Sequence, residues 1–185
     1  MNFLIRLISN QNYKNSGYLS LAYLSDYLFS FLTLPLIARA IGPSELGLVG
    51  FTQLYGIFIV LFIEFGSPLT AVRDVIKIKP SLLAQYIGKM LTFRLILIFL
   101  AFFISIAVLF SVPIFHNSYK YLLLATIGSS FQGLTPSWYF EGKGNMKLIA
   151  FTKIFFRTVF FILILIFINL KQDGFKIIFI NALCI

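Results

Sequence analysis

Five charged side chains sit where the sequence is otherwise apolar: Asp26, Glu64, Arg94, Lys153 and Arg157. Lys153 and Arg157 are four residues apart, so on a helix both project from one face as a cationic stripe. Arg and Lys are natural partners of phosphate and pyrophosphate, Arg through its planar fork and Lys as a point charge. A stripe of this kind facing a water-filled cavity suits an anionic ligand. If that ligand is amphiphilic, its tail stays in lipid while its head group occupies the cavity. Substrate binding by a cationic cavity is therefore assigned to Arg157, Lys153 and Arg94, and an ion-pair or coupling role to Asp26 and Glu64.

Other chemistry finds no residues to carry it. There is no Ser/His/Asp constellation, no HExxH and no pair of carboxylates, so no catalytic residue is assigned and the chain is not expected to be an enzyme. Gly142-Lys143-Gly144 lacks the spacing of a phosphate-binding loop, and no strand precedes it. One histidine, His116, and one cysteine, Cys184, are too few for a metal site or an internal disulfide. No metal and no cofactor are expected.

The elements that must position the five charges are membrane spans. Of 185 residues, 59% are hydrophobic and only 11% charged, and the mean hydropathy is +0.95. A soluble domain carries about 25% charged residues, so a soluble enzyme is excluded. Disorder, which needs low hydrophobicity, is excluded too. Long unbroken runs such as LILIFLAFFISIAVLF do not fit the short alternating segments of an outer-membrane barrel. The expected class is an all-α, polytopic helical membrane protein.

Five complete spans are expected, at about 16–38, 46–68, 90–112, 121–140 and 148–170, with a sixth, incomplete run over 175–185. Asp26 and Pro35 in the first run argue for a retained helix rather than a cleaved signal peptide. IGPSELG (41–47) is the first connection, and the basic stretch 70–89 reads as the clearest loop in the chain. Gly128, Gly133 and Pro136 predict a bent or broken fourth helix. Trp138-Tyr139-Phe140 falls at the inner interface, where aromatic belts occur. The last run, eleven residues or about 16 Å, is half of a ~30 Å hydrocarbon core, so the chain is expected to be the N-terminal part of a longer protein.

The net charge of +9 lacks the basic run or helix that nucleic-acid binding would need. It follows the positive-inside rule instead. With the N-terminus in the cytoplasm, Arg6, Lys14, Arg73, Lys77, Lys79, Lys89, Lys143 and Lys147 lie inside, against Arg39, Lys120, Lys171 and Lys176 outside. The three remaining basic residues are those in the spans. Arg157 is about nine residues, roughly 14 Å, into its span, and Asp26 is about as deep in the first. Each is a candidate to face a polar interior, or the two form a structural ion pair between helices. Arg94 and Glu64 lie nearer the inner ends of their spans, where snorkelling to the interface competes with a functional role.

Three stretches carry a resemblance. LTLPLIARAIGPSELGLVGFTQ (32–53) resembles the start of bacterial polysaccharide repeat-unit (O-antigen) flippases, where a Pro-containing first helix leads into a Leu-Gly-Pro-x-x-x-Gly loop. FIEFGSPLTAVRDV (62–75) resembles their Phe-Gly…Arg-Glu signature, with Asp74 in place of Glu. PSWYFEGKGNMKLIA (136–150) resembles their Pro-x-Trp-x-Phe-x-Gly…Met segment. The order and spacing match over most of the chain.

The resemblance implies membership of the multidrug/oligosaccharidyl-lipid/polysaccharide exporter superfamily. Its members are built from two six-helix bundles around a central cavity, of which this chain would be the N-terminal one. It further implies a cargo of undecaprenyl-pyrophosphate-linked oligosaccharide, translocated across the bacterial inner membrane for O-antigen or capsule synthesis. Membrane lipids and the polysaccharide polymerase machinery would be its partners. Three rivals stay open: a drug/cation antiporter of the same superfamily, which would prefer acidic cavity residues, a membrane-embedded enzyme, and a fragment or assembly subunit that does not transport. A membrane-embedded enzyme acting on the same lipid would need an acidic or His-rich loop, and the sequence has none.

Overall fold

A computed structural model of the chain describes the backbone of residues 2–167 and 174–184 and the side chains from Tyr13 onward. The side chain of the N-terminal Arg6, the end of the expected fifth span (168–170) and Lys171 in the connection after it lie outside the described residues. Among the described residues, eight helices follow in order: α1 Asn2–Glu64, α2 Ser67–Lys77, α3 Pro80–Ser111, α4 Pro113–His116, α5 Tyr119–Leu134, α6 Ser137–Gly142, α7 Met146–Phe167 and α8 Gly174–Leu183. Among the described residues there is no strand. Three helical stretches among these residues are long and apolar enough to cross a membrane: Tyr13–Glu64, Pro80–Ser111 and Met146–Phe167.

The first of these corrects the expected loop at 41–47. Only Gly42 leaves helical geometry (φ 79°, ψ 172°), and Pro43 resumes the helix at once. That backbone region is essentially restricted to glycine. Proline suits the first position of the next helix because its missing N–H would be an orphan there anyway. The single-residue break reverses the chain. On the N-terminal arm, Asp26 pairs with Arg157 and Phe29 with Phe161, so this arm runs parallel to α7. On the C-terminal arm, Glu45 meets Tyr121 and Gly56 meets Ser129, so that arm runs parallel to α5. Helices α5 and α7 run oppositely, because the late turns of α7 (Phe160, Ile164) share a cluster with Tyr121 and Leu124 of early α5.

The expected loop at 70–89 is also corrected. It is mostly helix: α2 and the first turns of α3, with only Ile78 and Lys79 between them. Ala71 and Val75 recur at helical spacing and bury against Trp138. Burial of that one face holds a short helix that its polar composition would not suggest. Trp138 itself is wholly buried, so the aromatic belt expected at 138–140 loses its tryptophan to the core. The fourth span divides into α5 and α6 at Thr135–Pro136.

The interior is polar for its size. Thr33, Thr52, Ser105, Thr126, Ser129 and Ser130 are buried, while Phe31, Phe58 and Phe110 point outward. Lipid is as apolar as Leu, so apolar residues gain little by leaving it. Close approach and hydrogen bonds hold membrane helices together instead. The Tyr55, Ser105 and Thr126 hydroxyls join α1, α3 and α5. Ser129 donates to the carbonyl of Gly56 at 2.9 Å.

Candidate functional site

The deep charges of α1 and α7 meet. Arg157 Nε donates to Asp26 Oδ1 at 2.8 Å, with 40% and 26% of the two side chains exposed. One turn along α7, Lys153 is exposed and its Nζ stands 5.0 Å from the ring centre of Tyr23, within cation–π range. Asp26 and Tyr23 are three residues apart on α1, and Lys153 and Arg157 four apart on α7. Two parallel helices in register therefore present one strip holding an acid, two bases and a tyrosine ring.

Helical periodicity was enough to put Lys153 and Arg157 on one face. The pairing with Asp26 depends on how α1 is rotated against α7. The Tyr23 ring, which the sequence reading missed, carries no signal beyond its spacing of three from Asp26. The strip's local charge is positive: Asp26 offsets one base and leaves the other. This arrangement can bind an anion.

Arg94 belongs elsewhere. It is fully buried, so neither snorkelling nor lining the cationic cavity describes it. Its Nη1 donates to the Gly133 carbonyl at 2.6 Å and its Nη2 to Ser67 Oγ at 2.9 Å. The guanidinium carbon lies 5.9 Å from the Trp138 ring centre. Helix α5 ends one residue after Gly133, where carbonyls lack intrahelical partners and the helix dipole is negative. A guanidinium with five donors answers both needs, and Ser67 ties the start of α2 to the same point. Glu64, half-buried at the end of α1, adds an attractive field at Arg94. Arg94 and Glu64 thus serve a structural joint of α1, α2, α3 and α5, while Asp26, Lys153 and Arg157 form the strip.

His116 and Cys184 lie outside the elements of the strip and the joint, though Arg157 is near enough to act electrostatically on Cys184. His116 closes the one-turn α4 and Cys184 follows α8 among apolar neighbours. Among the described residues, no three His, Cys, Asp or Glu side chains come together as a metal ion would need.

The family model described as "Polysaccharide biosynthesis protein" matches residues 13–184. A candidate O-antigen transporter of Escherichia coli (strain K12) is 28% identical over 163 residues, which cover 86% of this chain and 39% of that protein. The chain thus spans well under half the length of this curated relative. No solved structure matches it.

Proposed function

The chain belongs to the polysaccharide biosynthesis protein family, and from that premise we propose that it is one bundle of a two-bundle flippase. The cargo is an undecaprenyl-pyrophosphate-linked oligosaccharide, moved between leaflets of the bacterial inner membrane without covalent change. The N-terminus is cytoplasmic, and the polymerase machinery that extends O-antigen or capsule receives the product. The relative's description as a candidate O-antigen transporter supports this reading.

The observation that carries it is the exposure of the α1–α7 strip. Charged groups within a span are costly unless they face water or partners. Arg157, Asp26 and Lys153 all keep exposed surface in the two apolar helices, so they call for a polar cavity on this side. Such a cavity lies between bundles in transporters that work by alternating access. Lys153 and Arg157 hold the cargo's phosphates or acidic sugars, and Asp26 orients Arg157 or binds a coupling ion. The surplus positive charge favours an anionic cargo over a cationic drug.

The test is made in the full-length protein. Arg157→Ala and Lys153→Ala are expected to abolish or strongly reduce surface polysaccharide while membrane insertion and protein level stay unchanged. Wild-type polysaccharide in both variants would sink the cationic-site reading.

A further inference from the structure

Helix α2 presents an outward surface that the transport reading leaves unused. At 100° per residue, Leu69 and Ile76 adjoin one another opposite the buried Ala71–Val75 face, and Arg73 and Lys77 lie beside them. Leu69 is 82% and Ile76 68% exposed. Arg73, Lys77 and Lys79 are exposed as well. The neighbouring acid, Asp74, is engaged: it accepts a hydrogen bond from the Tyr86 hydroxyl at 2.8 Å. Lys143, in the turn after Gly142 that packs on Val75, is another exposed base at the same end.

The depth of this surface follows from α3. At 1.5 Å per residue its 32 residues extend for about 48 Å, longer than the ~40–45 Å of a bilayer with its head groups. Counting roughly 20 residues of hydrocarbon from Ser111 leaves the stretch before about residue 92 in the head-group layer. Ser67 pairs with Arg94 and Asp74 with Tyr86, so α2 runs antiparallel to α3 alongside that stretch. An amphipathic helix at this depth, with bases flanking exposed aliphatics, matches the chemistry of an interface that is apolar below and anionic above.

We propose that α2 and its joint with α3 bind anionic phospholipid head groups of the adjoining leaflet. Arg73, Lys77 and Lys79 contact the phosphates, and Leu69 and Ile76 enter the acyl boundary. The association anchors the α2–α6 layer, with Trp138 beneath it, against the membrane surface.

The experiment uses the whole chain in nanodiscs of phosphatidylcholine, with and without phosphatidylglycerol. Amide hydrogen exchange of residues 69–77 is expected to slow roughly tenfold or more in the anionic discs, in keeping with the attraction of three bases for such lipid. High salt and the triple variant R73Q/K77Q/K79Q remove the difference. Lys120→Gln, at the start of α5 and the opposite end of the bundle, keeps it. Unchanged Trp138 emission confirms that the triple variant is folded. Equal exchange in both disc types overturns the proposal. So does protection that persists in the triple variant, which would point to a protein partner or a second copy on this face.

Discussion

Arg94 on α3 donates to the carbonyl oxygen of Gly133 on α5 at 2.6 Å, wholly inside the bundle. This bond closes the joint at which α5 breaks before Pro136. Arg94→Met removes the donors and leaves the Gly133 oxygen and the Ser67 hydroxyl without them, an expected loss of about 1–3 kcal/mol. Arg94→Lys, a single point charge, restores only part. Unfolding in dodecyl sulfate, followed by far-ultraviolet circular dichroism and the emission of the single tryptophan, measures both. A midpoint for Arg94→Met equal to wild type would show that the joint does not depend on this contact.

The Asp26–Arg157 pair is partly exposed, so its contribution to stability is small, on the order of 0.2–1 kcal/mol. A double-mutant cycle with Asp26→Asn and Arg157→Gln should give a coupling energy in that range. In the full-length protein, exchanging the two residues (D26R/R157D) is expected to recover stability but not transport. Recovery of transport by the exchange would reduce the pair to a structural one.

Gly42 and Gly47 make a matched comparison. A Cβ meets nothing within 4 Å at either, but only Gly42 has a positive φ, +79°. Gly42→Ala is expected to cost about 1–3 kcal/mol through backbone strain. Gly47→Ala, in helix, should be neutral or stabilising by up to about 1 kcal/mol. The same unfolding assay ranks the two, and equal effects would contradict the assignment of the reversal to Gly42.

A Cβ on Gly133 would stand 2.7 Å from Ile63 Cγ2. Gly133→Ala is therefore expected to destabilise by about 1–3 kcal/mol through overpacking. Ile63→Ala in the same chain should relieve part of the cost, so the two losses should sum to more than the double variant shows. Strict additivity of the unfolding free energies would mean that the helices shift apart rather than clash.

Composition and run length were enough to make this an all-α membrane protein, because a bilayer tolerates little besides apolar helices and closed barrels. The same sequence placed Asp26, Lys153 and Arg157 at depths where charge needs a reason, and the four-residue spacing put the two bases on one face. Local chemistry was less legible at the ends of helices. Gly42-Pro43 looked like a loop because turn residues mark a break without giving its length, and here one residue suffices. The basic stretch from Thr70 looked like a loop because its burial rests on Ala71 and Val75 alone, whose partner Trp138 comes more than sixty residues later. Rotation of helices about their axes is set by packing, which no local pattern encodes. For that reason only the tertiary structure could turn Asp26 toward Arg157, enclose Arg94 at the end of α5, and separate the exposed charged strip from the buried structural joint.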